Sequence, residues 1–164
     1  MPLTRYAEVV LTIPDNEAET ALGTLRRLGV HVRRLRRADL YRIELDPSAE
    51  ETLLEGLRQI ETIYNPNKHA LELRAGDAPQ AGEVWIDEAA GASLPTADGV
   101  RVAGRLLPGV RRLERLVAWR LFDDGGNPVG AEVVARATES LLCNPAFQRA
   151  TTAAPSGDSL LHQR

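Results

Sequence analysis

Sulfur, aromatic rings and one-sided charge are all scarce in this chain. Cys143 is the single cysteine in 164 residues, which excludes an internal disulfide framework and any cysteine-rich metal knuckle. A reducing cytoplasm is the expected home. Aromatic residues make up only 4% of the chain against 43% hydrophobic residues overall, so aliphatic side chains must build the core. No uninterrupted apolar run approaches the roughly 20 residues that span a bilayer, and the first residues lack the basic and apolar stretches of a signal peptide. No membrane partner is expected. Twenty basic residues stand against 23 acidic ones, for a net charge of -3. That balance excludes a nucleic-acid-sized positive field, and the few aromatics exclude a base-stacking sheet.

The motifs of self-contained catalysis are missing too. His31 and His69 have no neighbouring ligand array, His162 falls in a stretch expected to be a mobile tail, and no HExxH spacing occurs. Cys143 follows Leu141 and Leu142 at a helix end with no activating base in view, so it reads as partly buried packing. DDGGNPVG, residues 123–130, lacks the oxygen spacing of an EF-hand and the glycine patterns of a Walker or dinucleotide loop. It reads as a turn, with Asn127 and Pro128 suited to open the next helix. No catalytic, cofactor-binding or metal-binding residue is assigned.

Hydrophobic periodicity supplies the elements. Residues 6–13 alternate and are rich in β-branched side chains, a strand pattern. Ala18, Ala21, Leu22, Leu25 and Leu28 then mark one face of a helix, capped by Asp15 or Asn16 and stopped by Gly29. Residues 30–37 and 40–45 read as two strands or one interrupted hairpin. Ser48 and Glu51 fit a capping box for a second helix along Leu53, Leu54, Leu57 and Ile60. Asn65-Pro66 ends it, and residues 69–74 form a last strand. The second half follows the same order: a strand at 82–88, a short helix through Val100, Ala103 and Leu107, strands at 110–115 and 117–122, a helix along Val133, Val134, Ala137 and Leu141, and a strand near 147–151. Asn144-Pro145 ends that helix.

The order βαββαβ thus occurs twice, and the letters repeat with it. VRRLRRADLYRI (32–43) aligns without a gap to VRRLERLVAWRL (110–121), matching Arg37 to Arg115, Tyr41 to Trp119 and Arg42 to Arg120. Two landmarks in the same order argue for duplication. The expected fold class is α+β, with units at residues 1–75 and 82–152, a linker at 76–81 and a flexible tail at 153–164. Arg33, Arg34, Arg36 and Arg37, with Arg111, Arg112 and Arg115, place forked donors at equivalent positions. They suit phosphate or a partner's carboxylates, or they solvate a strand edge and discourage aggregation. Arg34, Arg36, Arg37, Arg112 and Arg115 are the candidate anion or partner contacts. Tyr41 and Trp119 read as sheet-face packing or interface anchors. Asn65, Pro66, Asn144 and Pro145 read as structural junctions, because proline cannot continue a helix and restricts the residue before it.

The second half, LPTADGVRVAGRLLPGVRRLERLVAWRL followed by VVARATESLLCNPAFQ, resembles the small PurS-type subunit of phosphoribosylformylglycinamidine synthase. RYAEVVLTI, ALGTLRRLGVHVRRL and IYNPNKHALEL carry a fainter version in the first half. Where the family has Gly-Lys near the basic strand, this chain has Ala38-Asp39 and Ala118-Trp119. The resemblance implies two ferredoxin-like βαββαβ units packed as a pseudo-dimer. It further implies a noncatalytic accessory subunit, one that helps a large synthase subunit and a glutaminase subunit assemble and pass ammonia between them. ATP, Mg and glutamine would be used by that ligase complex, with no cofactor bound by this chain. Homo-oligomers remain an option. The competing expectation is a small-molecule-sensing regulatory protein, with its ligand between the two units.

Overall fold

The computed structural model describes residues 1–88 and 96–153. Its elements run β1 (Leu3–Leu11), α1 (Asn16–Arg27), β2 (Arg34–Leu45), α2 (Glu50–Arg58), β3 (His69–Leu73), β4 (Glu83–Glu88), β5 (Gly99–Val102), β6 (Arg105–Pro108), β7 (Val110–Phe122), α3 (Ala131–Ala137) and β8 (Gln148–Thr152). Six strands form one antiparallel sheet in the order β3-β1-β2-β7-β4-β8, and β5 and β6 form a separate hairpin. The fold is mixed, with antiparallel sheet and three α-helices among the described residues. The expected tail and His162 lie outside those residues, apart from Ala153.

Several local expectations are met by identifiable bonds. Asp15 caps α1 by accepting from the Ala18 amide at 3.1 Å, and Gly29 takes φ +80 just past its end, a conformation glycine adopts without a Cβ clash. Ala18, Leu22 and Leu25 are buried on its inner face, but Leu28, expected on the same stripe, is the C-cap residue and is exposed. Asn144-Pro145 follows directly on the last helical turn, but Asn65-Pro66 does not end α2, which already stops at Arg58 and is followed by turns; both pairs nevertheless precede a strand and share one bonding pattern. Asn65 donates its amide to His69 Nδ1 at 2.9 Å, and its side-chain oxygen accepts from Asn67 N at 2.9 Å. Asn144 donates to Gln148 Oε1 at 2.8 Å, and its side-chain oxygen accepts from Ala146 N at 3.1 Å. In each case the asparagine carbonyl also accepts from the amides three and four residues on.

Other expectations are corrected. The two strands expected at 30–37 and 40–45 are the single strand β2, and those expected at 110–115 and 117–122 are the single strand β7. Each half therefore supplies three strands to the sheet, not the four of a ferredoxin-like βαββαβ unit. Ala38-Asp39 does not turn, because β2 is hydrogen-bonded on both sides, to β1 and β7. The helix expected through Val100, Ala103 and Leu107 is the β5–β6 hairpin, turning at Ala103 (φ 49) and Gly104 (φ 80). Val100 and Leu107 are cross-strand partners and both buried; a seven-residue separation shares a face in a helix and in this hairpin alike.

Three cap or register details also differ. The Ser48–Glu51 capping box does not form; a 3₁₀ turn at Pro47–Ala49 leads into α2 without a side-chain cap. Asn127 and Pro128 do not start α3, which begins after Gly130. They belong to a turn in which Asp123 Oδ1 accepts from the Gly125 and Asn127 amides, at 2.9 and 3.0 Å. Finally, α3 widens into a π turn at Thr138–Leu142. The extra residue rotates the stripe by one position, so Leu142 is buried and Leu141 is exposed.

Strand alternation sends apolar side chains to both faces of the sheet. On one face lie two cores side by side. The first packs α2 and the β5–β6 hairpin over Ala7, Val9, Tyr41, Ile43, Leu45 and Leu113. The second packs α1 and α3 over Leu35, Val84, Ile86 and Leu121. Each core thus combines an element from the first half of the chain with one from the second. Leu25 and Leu57, fully buried in one core each, are positions where truncation to alanine costs about 2–5 kcal/mol.

Candidate functional site

The opposite face carries no helix among the described residues, and it holds a network of ion pairs. Its centre is a short apolar strip: Leu40 pairs with Leu116 and Ala38 with Ala118 across the β2–β7 junction, and all four are buried. Tyr6 from β1 and Trp85 from β4 reach over these two strands, and their rings meet 5.1 Å apart, tilted by 38°. The alanines leave the space for that contact. Such a tilted aromatic pair is worth about 0.5–1.5 kcal/mol beyond its burial.

Ion pairs flank the strip at both ends. At one end Arg42 donates from Nε to Glu114 at 2.7 Å and from Nη2 to Asp87 at 3.1 Å, while Arg112 also pairs with Glu114. At the other, Arg120 donates to Glu83 at 2.8 Å and to Glu8 at 2.6 Å. Glu83 is 1% exposed. It accepts from Arg74 as well, by two bonds, from the Trp85 indole at 2.8 Å and from the Gln80 amide at 3.1 Å. Burial by itself pushes the Glu83 carboxyl up, but the hydrogen bonds from Arg74, Arg120 and Gln80 outweigh it and hold it below the ordinary carboxylate range. The Arg74 guanidinium, 4% exposed, lies 5.1 Å from the Trp85 ring centre. Its Nε is buried without a hydrogen-bond partner, so this cation depends on Glu83 and the indole face. Arg74 leaves edge strand β3 and Glu83 opens β4, with three strands between them in the sheet. Their bond pins the ends of the linker to this face.

The candidate arginines disperse over the molecule. They lie on β2 and β7, the two central strands, which corrects the alternative that they solvate a sheet edge. Arg37 faces the helices and pairs with Asp15 and Glu17. Arg115 pairs with Asp39 at 3.0 Å, Arg112 with Glu114, and Arg111 with Asp46 at 2.6 Å. Arg34 sits over the Phe122 ring at 5.5 Å. Arg36 is exposed and makes no ion pair among the described residues. Arg37, Arg111, Arg112 and Arg115 therefore meet carboxylates of their own chain, whereas among the described residues Arg36, like the exposed Arg33, makes neither an ion pair nor a ring contact.

Among the described residues no group of three or more His, Cys, Asp or Glu is placed to hold a metal ion. His31 makes an exposed 3.1 Å pair with Asp124, His69 serves the Asn65 turn, and Cys143 packs partly buried against the second core. Tyr41 and Trp119 pack against the helix-side cores. Burial, then the Asp39 charge, raise the Tyr41 hydroxyl to about 12, against the lowering pull of Arg115. No protein-family model matches the chain, and no curated protein does either.

The residues that the motifs missed are Glu8, Arg74, Glu83 and Glu114. One signal pointed toward them. The repeat aligns Arg42 with Arg120, and strand alternation sends these to the face opposite Tyr41 and Trp119, which is where the carboxylates wait.

Proposed function

We propose that the chain is a tandem pseudo-dimer of two diverged units, each running its inner strands as one, and that it acts as a noncatalytic accessory subunit. In this reading it belongs to an ATP- and glutamine-dependent phosphoribosylformylglycinamidine synthase, where it helps the large synthase subunit and the glutaminase subunit assemble around the ammonia path. It is cytoplasmic and binds neither ATP, Mg nor glutamine itself; those belong to its partners.

The observation that carries the reading is the register of β2 against β7. Asp39 pairs with Val117, and these are also the residues that the sequence repeat sets against each other. A twofold relation between the halves requires such a self-paired position, as an isologous interface does between two subunits. Tyr41 opposite Arg115 and Trp119 opposite Arg37 then fall into matching pairs. The shared cores and the twin Asn-Pro turns support the same relation. An interface that a single-unit subunit makes by dimerising is thereby held within one polypeptide, as a scaffold requires.

The test is capture of both partners by the purified full chain, followed by reconstitution of glutamine-dependent synthase activity. Recovery of activity on adding the chain is expected. Failure to bind either partner, under conditions where an established small subunit binds both, sinks the synthase assignment and leaves the pseudo-dimer untouched.

A further inference from the structure

The two ends of the uncovered face are not equivalent, and the inequality marks a site. In the repeat, Arg42 corresponds to Arg120 and Arg36 to Glu114. The β2–β7 register sets Arg42 opposite Glu114 and Arg36 opposite Arg120. One end therefore closes with an acid–base pair, while the other sets two arginines side by side. Like charges directly across two strands are unfavourable unless something neutralises them. Arg120 is met by Glu8 and Glu83, but Glu83 is shared with Arg74. The ion-paired group with Arg36 thus holds three cations and two carboxylates. Glu72, cross-strand to Glu8, is exposed and makes no ion pair among the described residues.

A cleft of about 40 Å³ opens at this place, lined by Glu8, Val10, Arg36, Arg37, Ala38, Ala118 and Arg120. Its floor is the Ala38–Ala118 pair, the smallest cross-strand pair on the face, and one wall is the free Arg36 fork. That volume seats a carboxylate tip or one or two waters, and it is far too small for a nucleotide. An arginine fork beside an apolar floor matches a carboxylate, with the charge on the fork and the methylene on the alanines.

We propose that this cleft is a carboxylate-binding site in which Arg36 receives an external acid, supplying the charge that Glu114 supplies at the other end. The acid is a small free carboxylate or the tip of a partner's acidic side chain. The site goes beyond the synthase reading and does not depend on it.

The experiment follows the Arg36 Nε–H and the Ala38 and Ala118 amides by NMR, at constant ionic strength. The full chain is titrated with sodium acetate and, separately, with the capped peptide acetyl-Ala-Glu-Ala-amide. Saturable shifts centred on Arg36 are expected, weakened at least tenfold in Arg36→Gln and several-fold in Arg36→Lys. Arg36 is exposed, so both variants should keep the wild-type spectrum away from the cleft. A peptide affinity tenfold above acetate identifies a protein side chain as the source; equal affinities identify a free anion. Absence of saturable shifts, or equal responses in wild type and Arg36→Gln, overturns the proposal.

Discussion

The ends of the uncovered face carry matching arginines, Arg42 and Arg120, in different company. At the Arg42 end the carboxylates Glu114 and Asp87 are partly exposed, at 13% and 35%. At the Arg120 end Glu83 is closed off from solvent and ties in Arg74, Trp85 and the linker. The first end can relax into water when a partner is lost. The second cannot, because removing its acid strands a buried cation. One end is thus a structural clasp with a cleft beside it, and the other is a solvated pair.

The difference between the two ends rests most heavily on Glu83. Glu83→Gln should lower stability by about 3–5 kcal/mol in denaturant unfolding, since Arg74 would be left buried beside a neutral amide. The pH dependence has a defined sign. The folded-state pKa of Glu83 is depressed, so its stabilisation is present above the ordinary carboxylate pKa and is lost as pH falls through the lower folded value. Wild type should therefore lose more stability than Glu83→Gln on acidification from the mid-carboxylate range downward. An equal loss would show that the clasp contributes nothing as a charge.

Glu114→Arg makes the Arg42 end copy the arrangement at Arg36. It should cost about 2–3 kcal/mol by the same measurement, less than Glu83→Gln because solvent reaches the site. A cost above that of Glu83→Gln would reverse the ranking of the two ends. A smaller effect belongs to Tyr41, raised from 10.0 to about 12. A raised pKa means stabilisation that is complete below pH 10 and is lost as pH climbs toward 12, by about 2 kcal/mol. Tyr41→Phe should lack that part of the alkaline loss, which titration of unfolding free energy between pH 9 and 12 (roughly the span of the two pKa values) would measure.

The smallest effects test the twin turns. His69→Gln installs the acceptor that the second copy uses at Gln148, and should change stability by no more than about 0.5 kcal/mol; His69→Leu should cost about 1 kcal/mol by orphaning the Asn65 amide. Similar costs for both would deny that the two turns are interchangeable. Pro66→Ala and Pro145→Ala should shift stability modestly and leave assembly intact.

What the sequence made legible were features carried by neighbours along the chain. The α1 stripe and its Asp15 cap, the α2 stripe and the Asn144-Pro145 stop all act within a few residues, and so does the repeated letter pattern. The rest depends on partners the letters do not order. Ala38-Asp39 looks like a turn until β1 and β7 bond it on both sides. Val100 and Leu107 keep the same separation in a helix and in a hairpin. The π turn that buries Leu142 instead of Leu141 is one residue of slack, invisible to periodicity. The clasp joins Arg120 to Glu8 across 112 positions, and only the strand register selects that carboxylate from among 23 acidic residues. Of the five candidate arginines, the pattern found Arg36 but could not tell that, among the described residues, it is the one that meets neither an acid nor a ring.

The mixed parentage of the two cores has a consequence for how the chain is made. As it emerges from a ribosome, α1 has no α3 to cover it until Val134, Ala137 and Leu142 have been synthesised. The α2 helix likewise waits for Val100 and Leu107. Neither half can finish its hydrophobic collapse early, and a topology whose contacts are mostly long-range is expected to fold slowly.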